Sequence, residues 1–181
     1  FPYTTLFRSG TLTQNKMTVK KHVILNGSDD TEDSRLLIKG MALCSDAEWD
    51  GEKAVGEATE CALVTDAAEH GYTTVDMKIS FPRVGEAPFD SLRKMMTTIH
   101  SSGDILSFIR TDSYKKNYIQ FTKGAPDCVL ENCTYYIKDG SVERMTDEVM
   151  SQIKASNKEM ADQALRVLAL GMKTYDSVPE D

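Results

Sequence analysis

The sequence predicts an α+β fold, an antiparallel β-sheet flanked by helices. Three observations carry that prediction. Short stretches in which apolar and polar residues alternate, bounded by turn residues, read as strands. Longer stretches repeat their apolar residues at helical spacing. The two kinds alternate in blocks, without the regular strand–helix–strand spacing of a parallel sheet.

Met17, Val19, Val23 and Leu25 alternate with polar residues, with Lys21 as the break, and the Asn26-Gly27 turn closes this strand. Ser28 to Ser34 reads as a polar loop. Leu36, Leu37, Met41 and Cys44 follow helical spacing, and Glu57 to His70 is a second helix with Gly71 just past its end. Phe81 to Phe89 holds Pro82, Gly85 and Pro88, which marks an irregular or edge segment. A meander follows, with strands at Lys94 to His100, Ile105 to Ile109 and Tyr118 to Lys123, and a turn at Ser102-Gly103. Gly124-Ala125-Pro126 opens a short helix to Cys133. Tyr135 to Met145 is a hairpin around Asp139-Gly140. Thr146 is an N-cap before Asp147 and Glu148, and Val149, Ile153, Met160 and Ala164 mark one helical face. Val167 to Met172 is a closing strand.

The 181 residues fit one domain with a sizeable core. Apolar residues make up 40% and charged residues 27%, the composition of a soluble globular protein. No apolar run approaches the roughly 20 residues of a membrane span, and the start has no signal-peptide pattern. The net charge of −7 argues against non-specific nucleic-acid binding, yet leaves room for an anion in a local basic pocket. Cys44, Cys61, Cys128 and Cys133 are scattered, so reduced thiols, buried at Cys44 and Cys61, are expected, and the cytosol is the natural compartment. His22, His70 and His100 lie far apart in sequence, and no metal site is expected.

No Walker A motif, G-x-S-x-G or H-E-x-x-H occurs. Four short clusters combine unusual residue types. In G-E-A-T-E-C-A-L, Glu57 and Glu60 open a helix; they suit the helix dipole, or one of them accepts from an exocyclic amine. In A-P-F-D-S-L-R-K-M-M, Phe89 precedes Arg93 and Lys94, either as a core aromatic beside solvated bases or as a stacking surface beside phosphate-binding cations. In F-T-K-G-A-P-D, Lys123 ends a strand, solvated or facing an anion or a ring edge, and Gly124 permits close approach of backbone or ligand. In L-R-V-L-A-L, Arg166 is a cation on a buried-looking run, where it needs a carboxylate or phosphate partner.

With G-T-L-T-Q-N-K-M-T-V at Gly10 to Val19, these clusters stand in the order of five motifs of one family. The chain from Gly10 resembles the nucleotide-binding domain of P-type cation-transporting ATPases, and most closely the bacterial calcium-pump branch. The resemblance implies that domain's fold and these roles: Phe89 stacks on adenine, and Glu60 meets the adenine amine with Thr59 beside it. Lys123 lines the pocket floor, Gly124 and Ala125 give close approach, and Lys94 and Arg166 reach toward the phosphates with Arg93 assisting. ATP, carried as its Mg2+ complex, is the implied ligand.

In the family, an aspartate of D-K-T-G-T-L-T becomes the aspartyl phosphate. Here Phe7 holds that position, so no catalytic residue is expected and the chain should bind ATP without hydrolysing it. The resemblance divides the chain into a foreign or misassembled extension (residues 1–9), a hinge from the phosphorylation domain (10–19) and a nucleotide-binding domain shortened at its C-terminal end (20–181). The implied partners are the phosphorylation, actuator and transmembrane domains of a membrane-integral parent. The piece itself would be a soluble, monomeric cytoplasmic domain. A sodium, proton or other cation pump of the same type is the alternative parent. A phosphotransferase using Lys94 or Lys123, or an interaction domain without nucleotide, are the rival functions.

Overall fold

The computed structural model describes residues 3–9, by their backbone, and residues 16–25 and 30–179. In chain order the elements are β1 (Tyr3–Ser9), β2 (Met17–Val23), α1 (Glu32–Leu43), β3 (Glu48–Trp49), β4 (Ala54–Val55), α2 (Ala58–Glu69) and α3 (Thr74–Ser80). There follow β5 (Arg83–Asp90), β6 (Met95–Ser101), β7 (Tyr118–Gly124), α4 (Pro126–Leu130), β8 (Tyr135–Lys138), β9 (Ser141–Arg144), α5 (Asp147–Asp162) and β10 (Leu165–Tyr175). Six strands form one sheet in the order β2-β1-β10-β7-β6-β5, with every pair antiparallel. The fold is therefore α+β, an antiparallel sheet with helices packed on it, as the alternating blocks imply.

One face of the sheet makes the core. Along β7, Ile119, Phe121 and Lys123 are buried while Tyr118, Gln120 and Thr122 stay half-exposed, the two-residue alternation of a sheet covered on one side. Met96, Thr98 and His100 of β6 and Leu170 and Met172 of β10 complete that face. Helix α1 covers it with Leu36, Leu37, Ile38 and Met41. It lies unusually close: a Cβ on Gly40 would sit 2.6 Å from Leu170 Cδ2 and 2.8 Å from Phe121 Cε1.

The helix ends follow their sequence signals. Thr31, Thr73 and Thr146 cap α1, α3 and α5 with their side chains, and Gly71 follows α2 with a positive φ. Helix α1 begins at Glu32, inside the stretch expected as loop, because Thr31 accepts from Ser34 N and starts the helix there. The Asp139-Gly140 hairpin turn has positive φ at both residues. It docks on Asp33, whose carboxylate accepts from Asp139 N at 2.6 Å and Gly140 N at 3.0 Å.

Some expectations differ from what is observed. Ile105 to Ile109 is not a strand. It folds as consecutive turns, with Ile105 N, Ser107 N and Ile109 N each donating three residues back. This buries Ile105, Leu106 and Ile109 without a sheet partner. Ala164 lies past the end of α5, exposed and with φ 57°, so it is not on the buried face that Ile153 and Met160 share. Cys61 is half-exposed rather than buried, while Cys44 is fully buried, and no disulfide joins any of the four cysteines. Of the segment Phe81 to Phe89, the part from Arg83 onward is at the sheet edge, in β5, while Phe81 caps α3 and is buried.

Tyr3–Ser9, expected as an extension, forms β1 between β2 and β10. The Asn26-Gly27 turn and residues 10–15 of the expected hinge lie outside the described residues. No helix among the described residues is long and apolar enough to cross a membrane.

Candidate functional site

The first turn of α2 is fixed by Glu57, whose carboxylate accepts from Thr59 N at 2.8 Å and Glu60 N at 3.2 Å. The glutamate that caps is thus Glu57, and this leaves Glu60 free to reach sideways. One Glu60 oxygen accepts from Lys123 Nζ at 2.8 Å and the other from Asp46 N at 2.9 Å. Lys123 Nζ also donates to Ser45 Oγ at 3.0 Å. Its side chain is 7% exposed and that of Glu60 16%, so the pair is mostly withdrawn from water. A buried pair of this kind specifies geometry more than it adds stability, and leaving either charge alone would be costly. Thr59 is buried beside it, its hydroxyl on Glu57 and Met17 Sδ.

Ser45 and Asp46 follow the end of α1, and Arg83 holds them there. Its guanidinium donates to the carbonyls of Leu43 and Ser45 and pairs with Asp46 and Glu86, both at 2.8 Å. Burial works against this charge, but the two carboxylates outweigh it and hold the Arg83 guanidinium above its ordinary value. Burial likewise pushes the Cys44 thiol up. That cysteine is an inert packing group, its Sγ donating to the carbonyls of Met96 and Phe121.

The Phe89 segment is organised by Asp90. Its carboxylate accepts from Leu92 N and Arg93 N, both at 2.8 Å, and these two N–H groups hold it below the usual carboxylate range. Lys94, with φ 55°, closes the turn by donating its N–H to Asp90 O. Arg93 folds back onto Pro88 O. Phe89 is left 64% exposed, and Arg93 and Lys94 are exposed beside it.

Gly124 joins the two parts. A Cβ there would collide with Lys94 O and meet Met95 at under 3 Å, so the close approach Gly124 permits is of backbone to backbone. Ala125 N then donates to Lys94 O. The register pairs Met96 with Lys123 and Met95 with Gly124, so the Phe89 turn abuts the end of β7 beside Lys123. Ala169 pairs with Gly124, so Arg166 lies three residues past the end of β7, still within β10 and paired with Phe7 of β1. Arg166 is exposed there, not buried as its apolar neighbours suggest.

All nine sequence-predicted positions thus lie at one end of the sheet, in direct contact only in part. Glu60 with Lys123, and Lys94 with Gly124 and Ala125, are joined by hydrogen bonds or packing; Phe89, Arg93 and Arg166 stand around them in the open. Two concavities lie elsewhere. A groove of about 830 Å³ occupies the opposite face of the sheet, lined by Thr97, Gln120 and Thr122, with Arg93 at its border. A smaller one of about 380 Å³ runs past Arg83 and His100. Neither is lined by Phe89, Glu60 or Lys123.

Sequence reasoning missed Ser45, Asp46, Arg83 and Asp90. Only Asp90 carried a local signal, as an Asp at the head of a turn. Sequence distance also misled for histidine: His22 and His70 lie together around Asp66, with ring centroids 5.6 Å apart.

Comparison with known proteins bears on this geometry. The family described as "P-type ATPase, cytoplasmic domain N" matches residues 33–181. A calcium-transporting ATPase of Listeria monocytogenes is 36% identical over 96% of this chain and 19% of its own length. Calcium-transporting ATPase 1 of Bacillus cereus is 36% identical over 94% of the chain and 19% of its own length. The human sodium/potassium-transporting ATPase subunit alpha-4 is 28% identical over 89% and 17%. The chain spans about a fifth of the length of these two bacterial relatives. The family match, the bacterial relatives and the α+β architecture agree: this chain belongs to the family of cytoplasmic N domains of P-type ATPases.

Proposed function

We propose that the sheet end carrying Phe89, Glu60 and Lys123 binds ATP, as the nucleotide-holding part of a calcium-transporting P-type pump. The observation that carries this reading is the juxtaposition of three chemistries at one place. Phe89 offers a solvent-facing aromatic ring. Glu60 uses one oxygen for Lys123 and one for Asp46 N, and a carboxylate has about four acceptor positions, so it can still take an exocyclic amine. Arg93, Lys94 and Arg166 are exposed cations at the same end. Stacking on one aromatic contributes roughly 1–3 kcal/mol, and exposed charges add modestly, so affinity is weak. An open site suits a domain that must pass its γ-phosphate on and release the product.

The magnesium ion enters with ATP as part of the substrate. Phe7 stands where the family carries its phosphorylated aspartate, and a phenyl ring has no nucleophile. In this reading the chain binds ATP without turning it over, and the γ-phosphate goes to an aspartate of the parent's phosphorylation domain. The calcium assignment leans on the similarity to bacterial calcium-transporting ATPases; a sodium or other cation parent is the second reading, supported by the sodium/potassium-transporting relative.

Phe89→Ala tests the site. Phe89 is exposed, so the fold survives its loss. An NMR titration with MgATP should move amides around Glu60, Lys94 and Lys123 in the parent chain and lose most of that response in the variant. The same shifts at the same ATP concentrations in both would sink the assignment.

A further inference from the structure

We propose that His22, Asp66 and His70 form a metal site that takes Zn2+, away from the nucleotide residues. One donor atom from each residue lies within 4.8 Å of those of the other two. Asp66 and His70 are four residues apart on α2 and its C-cap, so one helix face presents both. His22 comes across from β2. The pairing of β1 with β2 skips one residue of β2, matching Leu6 to Lys21 and Phe7 to Val19. This bulge breaks the strand's alternation and turns His22 onto α2.

The hydrogen bonds fix what each group can offer. His70 Nδ1 lies 2.7 Å from Asp66 O, and a carbonyl only accepts, so Nδ1 carries the proton. In the neutral ring Nε2 is then the free lone pair. A ring nitrogen held by a backbone carbonyl is a common support for a metal-bound histidine. His22 Nε2 lies 2.8 Å from Asp66 Oδ2. An ion bound by both at ordinary zinc distances in a tetrahedron would set them about 3.4 Å apart. The site must open there by roughly half an ångström, with the ion replacing the proton between the two atoms.

Exposure suits uptake. The side chains of His22 and Asp66 are 9% and 11% exposed, while that of His70 is 42% exposed, so an ion can reach the group from that side. Two imidazoles and one carboxylate match zinc, and the fourth position is left to water. A purely structural His22–Asp66 hydrogen bond would need no second imidazole edge-on to the first.

The test uses the 181-residue chain freed of metal with a chelator. Calorimetric titration with ZnCl2 should show one equivalent taken up. The side-chain nitrogen resonances of His22 and His70 should shift while those of His100 stay. His22→Ala and His70→Ala should each weaken zinc by at least about tenfold, since even the loss of a supporting group costs 10–100-fold. His70 is exposed, so its variant folds even if the His22 variant does not, and the resonances of the unaltered chain read the site without any variant. Absence of saturable uptake overturns the proposal. So does unchanged affinity in His70→Ala, or a thiolate charge-transfer band on titration with Co2+, which would put the ion on cysteine.

Discussion

Lys123 and His100 share a face of the sheet with Phe121 and Met96, and each polar group survives there by a different route. Lys123 is met by polar partners, donating from Nζ to Glu60 and to Ser45 Oγ. His100 gives its charge up. It is 1% exposed, and burial pushes its pKa from 6.5 down to about 4. The neutral ring is fully bonded: Nδ1–H donates to Phe81 O at 3.0 Å, and Nε2 accepts from Thr98 Oγ1 at 2.9 Å. Between about pH 6.5 and about pH 4 the unfolded chain binds a proton at this position that the native chain refuses. Stability therefore rises with pH through that window and is lost on acidification, by on the order of 3 kcal/mol across it. Urea unfolding at several pH values between neutrality and pH 4 should show a shallower loss for His100→Gln than for the parent chain. Parallel slopes would mean that His100 titrates normally.

The element that most depends on fit is α1. Gly40 lets its backbone settle against Phe121 and Leu170, at distances a Cβ could not share. Gly40→Ala gains about 1 kcal/mol of helix propensity but forces side chains in a packed core to move, which costs about 1–3 kcal/mol. Phe121 is fully buried and cannot swing away, so packing should win. Denaturant unfolding should show a net loss of stability, and a gain would mean that α1 has slack. The same locality explains what the sequence could disclose. Helices α2 and α5, strands β6 and β7 and the Asp139-Gly140 hairpin were legible because cap, period and turn residue lie within a few positions of one another. Ile105 to Ile109 was misread because a short apolar run looks the same whether it pairs as a strand or is buried in turns. Helix α3 gave little signal because only Thr74 and Met77 of it are buried, while Val75 and Ile79 face solvent. At the site, the motif residues were legible one by one. The knot of Ser45, Asp46 and Arg83 was not, since Arg83 meets Asp46 across 37 residues of chain and Lys123 meets Ser45 across 78.

At the scale of the whole molecule, the antiparallel sheet gathers the proposed nucleotide residues from distant parts of the chain. Strands β5 and β7 end where β2, β6 and β10 begin, and α2 starts beside them. Phe89, Lys94, Lys123, Arg166 and Glu60 therefore meet at one rim although more than a hundred residues separate the first from the last. A ligand on that rim would touch several strands and α2 at once, and its binding would stabilise the sheet as a unit. At ATP tenfold above its dissociation constant, linkage gives about 1.4 kcal/mol, which for a chain of this size is a rise in melting temperature of about 3–6 °C. The parent chain should show that rise with MgATP, and Phe89→Ala should show almost none at the same concentration. Neither chain should release phosphate or hold label from γ-labelled ATP after acid quench, because position 7 carries a phenyl ring and β1, which contains it, is paired on both sides within the sheet. A labelled chain would show that a second nucleophile acts on the bound nucleotide, and a melting curve indifferent to ATP would show that the rim holds no nucleotide at all.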